Sequence, residues 1–131
     1  MTNPFRDQRV FMQACGQTVE QFNPDQFNMY LSLIEEESQE LANAIETHDQ
    51  VGALDALIDI LVVTIGAAHS MGADVEGAWQ EVMRTNMAKI DPETGQVRRR
   101  EDGKILKPEG WQPPNLETFV KLVNLGPESL T

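Results

Sequence analysis

Leu33-Ile34-Glu35-Glu36-Glu37-Ser38-Gln39-Glu40-Leu41 and Leu54-Asp55-Ala56-Leu57-Ile58-Asp59-Ile60-Leu61 are the two segments whose reading decides the fold of this 131-residue chain. Each sets carboxylates at helical spacing in an apolar background. Glu36 and Glu40 are four residues apart, Glu37 and Glu40 three, Asp55 and Asp59 four, so each set shares a helix face. Two helices lying side by side would bring these acids together, and a divalent metal ion between them is the arrangement the pattern suggests.

The first segment belongs to a helix predicted from Pro24 to about Thr47. Asn23-Pro24 is its start signal, with asparagine as cap and proline in the first turn. Phe27, Leu31, Ile34, Leu41 and Ile45 keep a three-four spacing that marks the inward stripe. Glu37 flanks that stripe, Glu40 lies at its edge, Glu36 further round, and Glu35 points elsewhere. Asp49 and Gly52 mark a short turn. The second segment belongs to a helix predicted from about Val51 to Ser70 and apolar nearly all round, which calls for a central position, a subunit interface, or both. Asp55 and Asp59 are expected on the face that continues to Val62 and Gly66. A buried, unpaired carboxylate costs several kcal/mol or loses its charge. Neither helix carries a basic residue, so a metal ion is the economical partner. An acidic, solvated surface explains Glu35-Glu36-Glu37 alone but explains Asp55 and Asp59 poorly. His69 reads as a core or capping residue.

Asn3-Pro4 repeats the start signal, and Phe5, Val10, Phe11, Ala14 and Cys15 form a loose stripe ending near Gly16. Cys15 reads as a small core residue, since no base stands near it. Gln17, just past this helix, is either a ligand contact or a solvated loop residue. Met71-Gly72-Ala73-Asp74 closes one helix and caps the next, whose stripe is Val75, Trp79 and Val82. The stripe continues to Asn86, with Lys89 one turn on. Either these contact a ligand, with Lys89 meeting phosphate, or the helix frays there into water. Beyond Ile90, turn sequences surround Val97–Arg100 and Lys104–Leu106, which can pair as a small hairpin. A short last helix is expected over Leu116–Asn124. Trp111 reads as a lid on the core or as a surface on which a base stacks.

Forty per cent hydrophobic residues and this length suit one folded domain spanning residues 1–131, with a helical core over about 4–90 and a basic segment from 91. A single cysteine excludes an internal disulfide and a cysteine-rich zinc site. Met1 to Arg9 is polar, and the apolar run Leu54–Ala68 is short and interrupted by two acids, so a soluble cytoplasmic protein with no membrane partner is expected. The net charge of −11 argues against binding a nucleic-acid polymer. That charge is uneven. Residues 1–83 hold Arg6 and Arg9 against fourteen acids, while 84–107 hold seven cations. Such a division suits an anion held through metal on one side and cations on the other, although surface scatter gives the same picture.

Three chemistries place carboxylates on bundle helices. Di-iron sites need Glu-x-x-His pairs, which His48 and His69 do not supply. A glycosidase needs only two acids, on a cleft. An all-oxygen magnesium site fits best, because Mg²⁺ prefers carboxylates and water and bridges to phosphates.

The run Glu36-Glu37-Ser38-Gln39-Glu40 resembles the Glu-Glu-x-x-Glu motif of the all-α MazG-like nucleotide pyrophosphohydrolases, a group that includes phosphoribosyl-ATP pyrophosphohydrolase. The family's second motif is Glu-x-x-Asp. Here Asp59 matches the aspartate, Ala56 stands at the glutamate position, and Asp55 is the candidate substitute. Thr85-Asn86-Met87-Ala88-Lys89, then Gly103-Lys104-Ile105-Leu106-Lys107-Pro108 and Pro114-Asn115-Leu116, are similar to the phosphoribosyl-ATP pyrophosphohydrolase-like branch, so that the resemblance covers roughly residues 10–118. It implies a four-to-five-helix, all-α bundle with an irregular C-terminal segment, working as a homodimer or homotetramer. It implies Mg²⁺-dependent hydrolysis (Mn²⁺ as a substitute) of a nucleoside triphosphate or related nucleotide to the monophosphate and pyrophosphate. Glu37, Glu40, Asp59 and Asp55 would hold the metal; Glu36, Glu37, Glu40 and Asp59 would form the catalytic set. Gln17, Asn86, Lys89, Lys104 and Lys107 are the candidate nucleotide contacts. The missing glutamate at Ala56 supports a rival reading, a non-catalytic helical oligomer that binds a nucleotide or a protein.

Overall fold

The computed structural model describes residues 3–126. It is all-α apart from one small hairpin, with four helices: α1 Pro4–Ala14, α2 Pro24–Glu46, α3 Gln50–Ser70 and α4 Val75–Met87. The chain divides into two compact units, residues 3–75 with 120–126, and Glu76–Phe119.

In the first unit the start signals act as read. The side chain of Asn3 accepts from the Arg6 amide at 2.9 Å, and that of Asn23 accepts from the Gln26 amide at 3.1 Å. Asp49 caps α3 in the same way through the Gly52 amide. The three-residue link Thr47–Asp49 returns the chain, so α2 and α3 run antiparallel along each other, with α1 against α3. At the far end the Asn23 amide donates to the Ser70 carbonyl at 2.9 Å, and Phe22 bridges to Met71. Gly72 sits there at φ 76°, where a methyl group would press within 3.0 Å of the Gln21–Phe22 backbone.

The core gathers Met12, Phe27, Tyr30, Val63 and Ala67, flanked by Val19, Phe22, Leu33, Ile34 and Met71. Burying each large apolar side chain contributes about 1.5–3 kcal/mol before the cost of ordering it. A polar clamp closes the loop between α1 and α2. Gln26 donates to the Thr18 carbonyl and the Ser70 hydroxyl, and accepts from the Thr18 amide. His69 is buried, with Nε2 bonded to the Phe5 carbonyl at 2.9 Å.

Several expectations shift. On α1 the inward face is Gln8 and Met12, while Val10 and Phe11 face out, because the partner helix lies on the other side of the cylinder. Cys15 is exposed rather than buried. On α2 the inward stripe turns by one position, to Phe27, Tyr30, Ile34, Leu41 and Ala44, leaving Leu31 and Ile45 outside. Among the described residues one face of α3, with Ala56, Val63, Gly66 and Ala67, is buried on the side of α2, and Leu54, Leu57, Ile58 and Leu61 are exposed. At 21 residues α3 is also long and apolar enough to cross a membrane, contrary to the shorter run read from sequence.

In the second unit α4 buries Thr85 and leaves Trp79 and Asn86 exposed. The hairpin forms where expected, as β1 Arg98–Arg99 paired antiparallel with β2 Ile105–Leu106. The expected last helix over Leu116–Asn124 is reduced to a 3₁₀ turn at Glu117–Phe119, closed by the Phe119 amide on the Leu116 carbonyl. A nine-residue segment is too short to sustain a helix without packing, and Leu122 stands fully in solvent.

Candidate functional site

The antiparallel pairing brings the acids together. Tyr30 on α2 lies against Gly66 on α3, so closely that a methyl group at Gly66 would come within 2.7 Å of the Tyr30 ring. Two helical turns further along this interface, α2 presents Glu37 and α3 presents Asp59. Both are half-buried, whereas Glu36, Glu40 and Asp55 are exposed. Glu37 occupies the inward stripe itself, between Ile34 and Leu41, rather than its flank.

Oε2 of Glu37 is buried and, among the described residues, has no hydrogen-bond partner. Loss of water pushes its carboxyl above the ordinary carboxylate range; the neighbouring Glu40 carboxyl and the charges of Asp59 and Asp55 push in the same direction. Four carboxylates therefore share one electrostatic neighbourhood. Among the described residues they do not close into a ready-made cage of three ligands. They do offer only oxygen, and one of those oxygens lacks a partner. That donor set fits a hard divalent cation and leaves nothing for a soft one. Ala56, at the position of the family's glutamate, is 2% exposed and packed where α3 meets α2, so it contributes contact area and no ligand.

Gln17 is placed by the core. The Tyr30 hydroxyl donates to its Oε1, which commits that oxygen to holding the α1–α2 loop. Burial raises the Tyr30 phenol, the Gln17 bond opposing it.

The expected cationic contacts all belong to the second unit. Lys89 Nζ donates to Asn86 Oδ1 at 3.1 Å, so the two side chains at the end of α4 hold each other. Lys104 is exposed on the hairpin turn, and Lys107 follows β2. An open cavity of about 440 Å³ is lined by Lys89, Asp91, Arg98, Leu106, Lys107 and Glu109, among others. Asp91 there is tied to Arg98 at 2.9 Å and accepts from the Glu93 amide, contacts that hold its carboxyl below the ordinary range. Lys89 and Lys107 both stand over the Trp111 ring, at 5.2 and 4.7 Å from its centroid. Trp111 is half-buried and carries both ammonium groups on its ring. This grouping has no signature in the sequence, since its three members are spread over positions 89 to 111.

Elsewhere in this unit Glu81 is pulled down to about 2 by its hydrogen bonds to Arg84 and then to the Asn115 amide. These bonds fasten the segment after Pro114 to α4.

The profile of the family described as phosphoribosyl-ATP pyrophosphohydrolase matches residues 7–86. That span holds Glu36, Glu37, Glu40, Asp55, Asp59 and Asn86. No curated protein matches the chain.

Proposed function

The chain belongs to the phosphoribosyl-ATP pyrophosphohydrolase family, in the MazG-like superfamily, and from that membership we propose that it hydrolyses the α–β phosphoanhydride of a nucleoside triphosphate or related nucleotide. Pyrophosphohydrolase activity is the general property of the family. The observation that supports the finer reading is the unpartnered Oε2 of Glu37 among the charges of Glu40, Asp59 and Asp55. A folded chain tolerates such a set when a cation completes it.

Glu37, Glu40 and Asp59, with Asp55 at the margin, would hold Mg²⁺ or Mn²⁺, which when bound neutralises phosphate charge and makes water more acidic. The carboxylates of this set would accept the proton of the attacking water. Glu36, exposed one position away, would orient that water. Within residues 76–119, Asn86, Lys89, Lys104 and Lys107 are proposed to contact phosphate, and within the first unit Gln17 is proposed to contact a ligand only through the amide nitrogen that Tyr30 leaves open.

The apolar face of α3 we assign to a second copy of the chain. Leu57 is 47% and Leu61 57% exposed, on the same helix as two carboxylates that would be costly within a bilayer. A homodimer or homotetramer would cover that face and keep the protein soluble in the cytoplasm.

The test is a nucleotide panel with Mg²⁺, read by pyrophosphate release. Turnover is expected, and Asp59→Asn or Glu40→Gln should lower it on the order of 100-fold with helicity unchanged. No turnover, together with no metal binding by calorimetry, would favour the non-catalytic oligomer.

A further inference from the structure

We propose that Trp111 is the positioning residue of a polyphosphate pocket formed within residues 76–119, its indole holding the ammonium groups of Lys89 and Lys107 at the pocket wall. The inference rests on the reading above that these lysines meet phosphate, and it adds the residue that arranges them.

Lys89 follows α4 and Lys107 follows β2, so nothing in the local chain brings them together. They meet on one ring. Two ammonium groups repel each other, and the negative face of an indole is a surface that attracts both. Among the described residues neither lysine has an ion pair, whereas Asp91, the acid nearest in sequence to Lys89, is already spent on Arg98. Both lysines line the 440 Å³ cavity, and Trp111 is not among its lining residues. It therefore acts through the lysines.

The ring is itself fixed. Its Nε1 donates to the Thr85 carbonyl at 2.8 Å, and Thr85 is 2% exposed, with its hydroxyl on the Val82 carbonyl. From the other side, the Trp111 amide closes a turn on the Pro108 carbonyl, with Gly110 at φ 78°. A ring held from α4 and from the turn that follows Lys107 sets the separation of the two cations before any ligand arrives. The remaining charges on the cavity wall, Arg98, Asp91 and Glu109, leave it with one net positive charge. Two converging cations in an open cavity suit a condensed phosphate, either free or as the tail of a nucleotide.

The experiment uses the full chain in EDTA, so that metal-dependent turnover does not enter. Pyrophosphate, tripolyphosphate, orthophosphate, a deoxynucleoside triphosphate and a nucleoside are titrated by calorimetry, and the lysine ε-methylene resonances are followed by NMR. Binding of the condensed phosphates is expected, with ε-methylene signals of two lysines shifted by the Trp111 ring current and moving on titration. Tripolyphosphate and the deoxynucleoside triphosphate binding equally would mean that the pocket takes the phosphate tail alone; tighter binding of the nucleotide would place the pocket in its recognition. Trp111→Leu should erase the ring-current shifts and weaken pyrophosphate about tenfold, while Trp111→Phe keeps most of the affinity. In turnover assays Trp111→Leu should lower kcat/KM, and Trp111→Phe should restore most of it.

A Lys89→Gln/Lys107→Gln variant that binds pyrophosphate like the parent would overturn the phosphate reading of the lysines, and this inference with it. If that variant loses affinity while Trp111→Leu keeps it, the role given to Trp111 alone is wrong. Should Trp111→Leu fail to fold, the parent's spectrum decides, because unshifted lysine signals that ignore pyrophosphate would also overturn the proposal.

Discussion

Tyr30 and Gly66 set the distance between α2 and α3: the tyrosine ring lies where a side chain on residue 66 would have to go. The same antiparallel register, two turns along, puts Glu37 and Asp59 on the facing sides of the two helices. A glycine in the core end of the interface therefore controls how closely the acids approach.

Gly66→Ala should force the helices apart and cost about 1–3 kcal/mol, the usual range for overpacking a tight core. Urea denaturation measures the loss, and turnover should fall with it although no carboxylate has changed. A variant as stable and as active as the parent would show that Tyr30 does not fix the spacing.

Glu37→Gln should separate stability from activity. The substitution removes a charge from a group that has lost water and has Glu40, Asp59 and Asp55 around it. In EDTA its thermal midpoint should rise above the parent's. With Mg²⁺ its turnover should collapse, and the metal should no longer stabilise the fold as it does the parent.

Asp55 and Asp59 should not be equivalent. Asp59 is half-buried on the face toward α2 and Asp55 is exposed beside it. Asp59→Asn is expected to abolish metal binding, while Asp55→Asn weakens it by a smaller factor. Calorimetric titration with Mn²⁺ ranks them, and the reverse order would move the centre of the site to the outer edge of α3.

Leu57→Glu with Leu61→Glu should dissociate the oligomer. Light scattering on the parent is expected to give a mass above 14.7 kDa, falling to that of one chain in the double variant. A parent that is already a monomer would leave the exposed apolar face of α3 without this role.

His69 gives the first unit a pH dependence. Burial pushes its pKa down, the Phe5 bond opposes that shift, and Arg9 adds to it. The unfolded chain accepts a proton near pH 6.5 that the folded chain refuses, so this contribution is whole above that pH and is lost as pH falls below it. Urea midpoints between pH 8 and pH 5 should fall for the parent and fall less for His69→Gln.

The sequence by itself determined α1 to α4, though not the end of the chain, because caps such as Asn3, Asn23 and Asp49 and the spacing of apolar residues are local signals. It also determined the hairpin and the two acidic segments, and it carried the family's motif order. It placed Glu37 inside and Glu36 outside, since both follow from one helical wheel. Which way each helix faces its neighbour was decided only in three dimensions. Val10, Phe11 and Cys15 face out and Met12 in, because a stripe of mixed residues on α1 has two candidate faces and the partner helix selects one. The all-round apolar α3 carries no facing information at all, so only packing shows that Ala56 and Val63 meet α2 while Leu57 and Leu61 do not. The meeting of Lys89 and Lys107 on Trp111 was likewise beyond the sequence, because attraction between a cation and a ring depends on distance in space and leaves no periodicity along the chain.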